Sequence, residues 1–445
     1  MNSGRRTEIV VLGAGFGGVQ VAQDLARKLK PSQAHVTLID QNNFLLYTPM
    51  LTEVLSGQVD MMHIVAPARD IHPRISFKQG RVEQIDIGKK ETTIMIGGTG
   101  LGDPLVRQQI SADHLVIALG SVPNFYKIPG MQDNALTIDD LCDAVAIHNR
   151  ALGLLERASM EPDESLRRNM LTFIVGGGGF SGTETAAALH DMLCDICKFY
   201  PRISRNEVRV ILIEALPRLL TELSMDLATY ALRKLRDVGV EVMLETKIVR
   251  ANATSIELGD GQTINAHTII WAGGVQPASV VRRTDCDHGR HGSIKVDPTC
   301  QVSGNPGVWV IGDCAEIPQP GEDKPYGPTA QNATREGALV AKNIMASLAG
   351  KEPRPFTYKP IGEVAALGRR SGVASLKGIH ISGFPAWFLW RTIYLFKLPH
   401  LRRKAHVAMD WTLDLLFGRE IVEMPASCFV AGVCPVAIES SLSEE

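Results

Sequence analysis

Residues 8–18 read EIVVLGAGFGG, and the reading of this stretch decides the fold. A β-branched run ends in Gly13-x-Gly15-x-x-Gly18, and a helical pattern follows with Ala22, Leu25, Ala26 and Leu29 on one face. Residues 36–40, VTLID, then form a second apolar strand that closes on Asp40, 22 residues after Gly18. Strand, glycine loop, helix, strand and acid in this order are the dinucleotide fingerprint in its full context. Each part has its own physical reason. Gly13 permits the tight turn, Gly15 lets the backbone approach a pyrophosphate, and Gly18 lets helix and strand pack closely. The helix start offers unpaired N–H groups and a partial positive charge to phosphates. Asp40 accepts hydrogen bonds from a ribose. An ordinary glycine-rich turn needs neither the flanking strands nor the acid.

The pattern recurs. Residues 172–182 read TFIVGGGGFSG, giving Gly177-x-Gly179-x-x-Gly182, and 208–214 read VRVILIE, ending in Glu214. The glycines repeat at an offset of 164 residues and the acids at 174, which allows a longer second helix. Both copies also close alike, with DHLVIALGSVPN at 113–124 and AHTIIWAGGVQP at 266–277. Each of these is a buried-looking strand running into a small-residue turn. Two dinucleotide sites in one chain imply two dinucleotides, and hydride transfer between them is the natural chemistry. Glu214 suits the 2′-hydroxyl of NADH and repels the 2′-phosphate of NADPH, although Arg218 lies close enough to soften that preference.

A third element, VWVIGDC at 308–314, is an apolar strand ending in Gly312-Asp313. It resembles the strand-plus-Gly-Asp motif of flavoproteins with two dinucleotide-binding domains, in which the aspartate bonds the ribityl chain of FAD. A turn or helix-cap acid is the plain alternative for Asp313. By this resemblance the first loop takes FAD and the second takes NADH. Phe16, Ala118 and Gly120 join the first set of expected cofactor contacts, and Phe180 and Gly273 the second.

Composition narrows the rest. The 445 residues carry 46 Lys+Arg and 48 Asp+Glu, so bulk charge gives no sign of nucleic-acid binding. With 45% hydrophobic and 21% charged residues, the chain is neither disordered nor fibrous. Eight cysteines are too sparse for a disulfide scaffold and point to a reducing compartment. The polar residues before Ile9 read as no secretory address. Cys194-x-x-Cys197 falls late in the helix that begins near Ser181, and Cys197 shares an apolar stripe with Ala186, Leu189 and Leu193. Buried small hydrophobes explain that pair better than redox or metal chemistry, and no metal site is expected.

The C-terminal region points to a membrane surface. Residues 384–411, FPAWFLWRTIYLFKLPHLRRKAHVAMDW, hold three of the five tryptophans, and 384–409 hold Arg391, Lys397, Arg402, Arg403 and Lys404 with no acid. Arg391 and Lys397 interrupt the apolar run, so a spanning helix is not expected. Beyond Pro399, Leu401, Ala405, Ala408, Met409, Leu415 and Leu416 share one face, with Arg403, His406, Asp410 and Asp414 opposite. Aromatics with cations suit the headgroup boundary of an anionic bilayer. A dimer interface or a helix packed on the core is the competing reading.

Taken together, these residues resemble the type II NADH dehydrogenases, the single-subunit, non-proton-pumping NADH:quinone oxidoreductases. The likeness runs through GAGFGG, LID with NNFLLYTPML, HLVIALGS, VGGGGFSGTETA, LIEALPRLL, WAGG, IGDCA, PTAQNATREG and the aromatic-basic tail. The resemblance implies that Glu184 lies beside nicotinamide and flavin, although Ser181-x-x-Glu184 also reads as a capping box. It implies that Ala330-Gln331 belongs to a quinone-site segment, with Ala330 among the cofactor contacts, although a helix start lying over the flavin's pyrimidine edge is the alternative. The family segment often carries a second glutamine where this chain has Arg335 or Glu336.

The expected architecture is α/β, with two Rossmann-like domains, the second inserted in the first, and a C-terminal amphipathic membrane-anchoring segment. The FAD domain spans 1–125 and 295–350, the NADH domain 126–294, and the C-terminal region 351–445 with the anchor at about 384–420. The stretch 151–170 reads as a polar link between helices. The expected reaction carries a hydride from NADH to flavin and two electrons on to menaquinone or ubiquinone, regenerating NAD+ for respiration. The expected location is peripheral, on the cytoplasmic face of the cell membrane, with a homodimer left open. The rivals are a sulfide:quinone oxidoreductase, an NADH-responsive flavoprotein that acts by binding a partner, and electron delivery to a small protein carrier.

Overall fold

The computed structural model describes residues 5–97, 104–289, 291–419 and 422–423. The remaining residues lie outside this description; they include both ends of the chain and Cys428 and Cys434.

The run that opens the sequence becomes the strand Thr7–Leu12, at the centre of a five-stranded sheet. It pairs in parallel with Ala34–Asp40 on one side and His114–Ile117 on the other. Ile75–Gln79 and Val308–Val310 complete the sheet at its two edges, also in parallel. Strands in a parallel sheet are covered on both faces, which is why they read as unbroken apolar runs. Ile9, Leu12, Leu38 and Trp309 accordingly lie within a single apolar core.

The second copy repeats the order. Thr172–Gly176 pairs in parallel with Arg209–Ile213 and Thr268–Trp271, and Glu241–Met243 adds to the former. In both sheets the chain runs outward through three strands, makes a three-stranded antiparallel meander, and returns to the other side of the first strand. Ligands bind at the reversal of strand order, beyond the carboxyl ends of the strands. Gly13 and Gly177 both stand at such a point. The two halves are stitched together where Ser121–Pro123 pairs antiparallel with Val275–Pro277.

Residues 151–170 are not a polar link. Residues 151–160 are the second half of a 20-residue helix, Leu141–Met160, in which Ala151, Leu152, Leu154, Leu155 and Ala158 are buried. The acids and arginines of this stretch sit on the outer face and dilute the apolar period. The chain then turns through a short helix, Glu164–Met170, capped by Asp163.

After the Ala330–Leu348 helix comes a three-stranded antiparallel sheet, Gly362–Ala366, Gly372–Leu376 and Ile379–Gly383, followed by the helices Phe384–Lys397 and Leu401–Phe417. Among the described residues no helix is long and apolar enough to cross a membrane. These last helices belong to the core: Trp390, Leu398, Val407 and Trp411 share one apolar cluster with the second sheet.

Candidate functional site

Gly13 takes φ of 101°, and a Cβ there would stand 2.1 Å from the carbonyl oxygen of Ala118. Only glycine fits both the positive φ and that contact. Gly18 has the same steric need, since its Cβ would lie 1.9 Å from Gly13 O. Gly15 and Gly120 differ. A Cβ on either meets nothing within 4 Å, because both front an open cleft of about 720 Å³. That cleft is also lined by Asp40, Ala118, Gly80 and Ser121. Its size falls in the range of roughly 300–1,000 Å³ usual for small-molecule sites. Asp40 braces the loop, accepting from Ala14 N (2.6 Å) and Asn42 N (2.7 Å), while burial raises its proton affinity. Phe16 sets the helix start against Tyr47, edge-on at 5.7 Å.

Asp313 reaches the same region from the returning strand. Ser121 Oγ donates to its Oδ2 (2.6 Å), and its other oxygen has no partner among the described residues. Burial raises its proton affinity too. A free carboxylate oxygen beside a glycine cradle fits the hydroxyl-bearing chain of a flavin dinucleotide. The first two turns of the Ala330 helix cover the loop: Gly17 faces Ala333 O, and Gly337 faces Gly17 O.

The second loop is built the same way. Gly177 has φ of 111° against Ala272 O, and Gly182 meets Gly177 O as Gly18 meets Gly13 O. Gly179 fronts open space. Glu214 accepts from Gly178 N and from Leu216 N, the latter at 2.7 Å. The register therefore runs from Gly177, not Gly176. Phe180 opens the helix and packs at the edge of the core, and Gly273 lies against the Trp271 ring. The Arg218 guanidinium is engaged by its own loop, donating to Thr221 O and Leu223 O.

Glu184 is not half of a capping box. The helix is capped by Gly179 without a side-chain bond. The Glu184 carboxylate points instead toward the C-terminal region, where Oε1 accepts from Ala366 N (2.8 Å) and Trp390 Nε1 (3.0 Å). Burial pushes its pKa up to about 8, so the acid is protonated at neutral pH. Glu336 is a second buried acid. It accepts from Gly312 N (2.7 Å) and is pushed up to about 7 by burial. Gln331 is held at both ends, donating to Gly362 O (3.0 Å) and accepting from Tyr358 Oη (3.1 Å).

The tail departs from expectation. Arg391, Trp387, Trp390 and Trp411 are buried. Arg391 lies between the rings of Trp387 (4.3 Å) and Trp411 (4.6 Å) and pairs with Glu53 at 3.8 Å. Trp411 Nε1 also donates to Glu53 (2.5 Å). A buried charge needs such partners. Glu53 sits in the short stretch LTEVL, where nothing local marks it as buried. The polar side of the last helix faces the protein, with Asp410 bonded to His63 (2.5 Å) and Arg403 to Met62 O (2.7 Å). Its apolar side faces out.

Thiol chemistry finds little support. Cys314 donates to Gly120 O, and burial pushes its pKa up to about 12. Cys300 is fully buried and also raised. Cys197 is in the apolar core, and Cys194 lies against His190. Among the described residues no cluster suits a metal ion.

The family comparisons agree with this geometry. The pyridine nucleotide-disulphide oxidoreductase family matches residues 7–337, and the NDH2 C-terminal domain matches residues 361–420. The chain is 31% identical over 395 residues to the type II NADH:quinone oxidoreductase of Staphylococcus aureus, covering 87% of this chain and 94% of that protein. The chain belongs to the type II NADH dehydrogenases. It is also 30% identical over 419 residues to a probable NADH dehydrogenase of Dictyostelium discoideum, covering 93% of this chain and 90% of that one. The fold is that of NDH2 from Plasmodium falciparum in complex with NADH, with a TM-score of 0.85 at 19% identity over 94% of this chain and all of the other. Within this type II NADH dehydrogenase, helical spacing separates the two residues four and five positions beyond Gln331. Arg335 is four residues from Gln331 and shares its face, whereas Glu336 turns inward.

Proposed function

We propose that the protein oxidises NADH and reduces a membrane quinone by way of bound FAD, without pumping protons: NADH + H+ + quinone gives NAD+ + quinol. The observation that carries this reading is the repeated cradle, built twice on the same strand order and covered once. The FAD-binding part is assembled from 1–125 and 295–350, the NADH-binding part from 126–294, and the membrane-facing part from 351–445. FAD held at the first loop would supply the hydride-accepting, two-electron chemistry that links NADH to the quinone. Gly13, Gly15, Gly18, Asp40, Gly120 and Asp313 hold that group. Gly177, Gly179, Gly182 and Glu214 bind NADH. Glu184 is oriented through one oxygen, by Ala366 N and Trp390 Nε1, and keeps a proton on its carboxyl. Gln331 stands on the quinone side.

Purified protein tests this directly. It is expected to be yellow, to bleach on adding NADH, and to regain colour with menaquinone or ubiquinone analogues. Protein that takes up no flavin, or that NADH leaves coloured, overturns the reading. NADPH is expected to serve at least about tenfold less well, because Glu214 faces its 2′-phosphate with like charge.

The same reading places the chain on a membrane surface, on the cytoplasmic face. Phe384, Phe388, Phe396, Leu401, Met409, Leu416 and Phe417 are all more than half exposed on the last two helices. Exposed apolar clusters of this kind mark interaction sites. Deleting 384–445 is a poor test, because Trp390 and Trp411 belong to the core. Phe388→Glu with Leu416→Glu is the better one. Vesicle binding is expected to fall on the order of a hundredfold, from two lost apolar side chains, with Tm unchanged.

A further inference from the structure

The quinone side of the site carries a pair of cations that hydride transfer leaves unused. Tyr358 spans Gln331 and Arg335: its hydroxyl bonds Gln331, and its ring lies 5.0 Å from the Arg335 guanidinium. Gln331 is thereby committed to protein partners at both ends. Arg335 is exposed, and among the described residues no carboxylate lies in ion-pair range of it. Its charged neighbour is Lys397, the last residue of the Phe384 helix, whose proton affinity is lowered by burial and by Arg335 itself. Neither cation neutralises the other.

Their place in the fold gives the pair meaning. Ala333, between Gln331 and Arg335 on the same helix, packs against Gly17 and Gly312 beside the flavin cradle. Lys397 ends the helix whose Trp390 bonds Glu184. The two charges therefore lie where the cradle meets the C-terminal helices. An unpaired arginine there presents a planar fork of donors, which an amide does not.

Resting on the quinone reductase reading above, we propose that Arg335, backed by Lys397, selects a negatively charged electron acceptor, so that anionic quinones are favoured over uncharged ones of similar size. The cation attracts the anionic acceptor on approach and holds it while two electrons and two protons, which leave its charge unchanged, are added.

The test uses the full, FAD-loaded chain with menadione as the uncharged acceptor and a naphthoquinone sulfonate as the anionic one. Arg335→Gln is expected to lower the sulfonate-to-menadione ratio of kcat/KM about fivefold, the scale of one solvent-facing charge pair. The sulfonate Kd from equilibrium dialysis against oxidised enzyme rises by the same factor. Arg335→Lys keeps most of the ratio, and added salt erases it in the parent. A ratio unchanged in Arg335→Gln, or an equal loss for both quinones, overturns the proposal. If the parent is reduced by NADH yet passes electrons to neither quinone, the quinone reading falls and takes this one with it.

Discussion

Gly13 and Gly177 adopt nearly the same φ, press against the carbonyls of Ala118 and Ala272, and receive the third glycines of their loops in the same way. Their acids even bond the same positions: the residue after the first glycine and the residue two beyond the acid. The loops part company in two respects. The first carries Ala14 with an aspartate, the second Gly178 with a glutamate. A methyl on Gly178 would lie 2.9 Å from Glu214 Oε2 and 2.6 Å from Leu219. The Leu219 side chain and the Glu214 carboxylate take the room that the Ala14 methyl occupies in the other copy. The second difference is the cover. The Ala330 helix closes over Gly17, whereas the matching Ser181 is exposed. A roofed cradle suits a group that stays, and an open one suits a substrate that leaves.

The comparison breaks most sharply at the third glycines. Gly18→Ala and Gly182→Ala each force a methyl into a carbonyl oxygen 1.9 Å away, at about 3 kcal/mol. The expected outcomes differ in kind. Gly18→Ala gives protein depleted of flavin, and Gly182→Ala gives yellow protein that NADH no longer bleaches. Absorbance before and after NADH separates them. If both variants lose flavin equally, the two loops do not divide the labour as proposed.

A smaller effect sharpens the pairing of acid and neighbour. Gly178→Ala is expected to raise KM for NADH about tenfold, as a methyl overpacks the loop. Adding Glu214→Asp should restore it, because the double variant reproduces the Ala14–Asp40 arrangement. Failure of the second substitution to rescue would show that the clash with Leu219 dominates.

The smallest effect is on pH dependence, through the residue by which the second loop reaches beyond its own half. Glu184 has an ordinary value of 4.5 and sits at about 8 in the fold. Between those values the folded chain keeps a proton that the unfolded chain has released, so this acid makes stability fall as pH rises. Glu184→Gln should flatten Tm against pH across that window and slow turnover severalfold while flavin stays bound. An unchanged slope would mean that the carboxyl is not protonated in the fold.

The loops and sheets were legible because they rest on local necessities. A strand covered on both faces must be apolar throughout, and a turn at positive φ against a carbonyl must be glycine. The site's other partners lie too far along the chain for pattern to reveal. Glu184 finds its donors 182 and 206 residues away, and the sequence beside it suggests a helix cap instead. Periodicity divided the last helix into two faces but did not say which one meets the protein. Arg391 and the three tryptophans therefore read as lipid contacts, while the outward apolar role falls to phenylalanines and leucines. The burial of residues 151–160 was masked by charges on the far side of their helix.

One indole nitrogen joins the two ends of this enzyme's work. Trp390 is wholly enclosed, yet its helix carries Phe388 and Phe396 outward, and its N–H steadies the acid of the opposite half. Whatever supports that helix from outside thus also sets how firmly the acid holds its proton. A shift of that helix would be felt at the acid through the single bond that joins them.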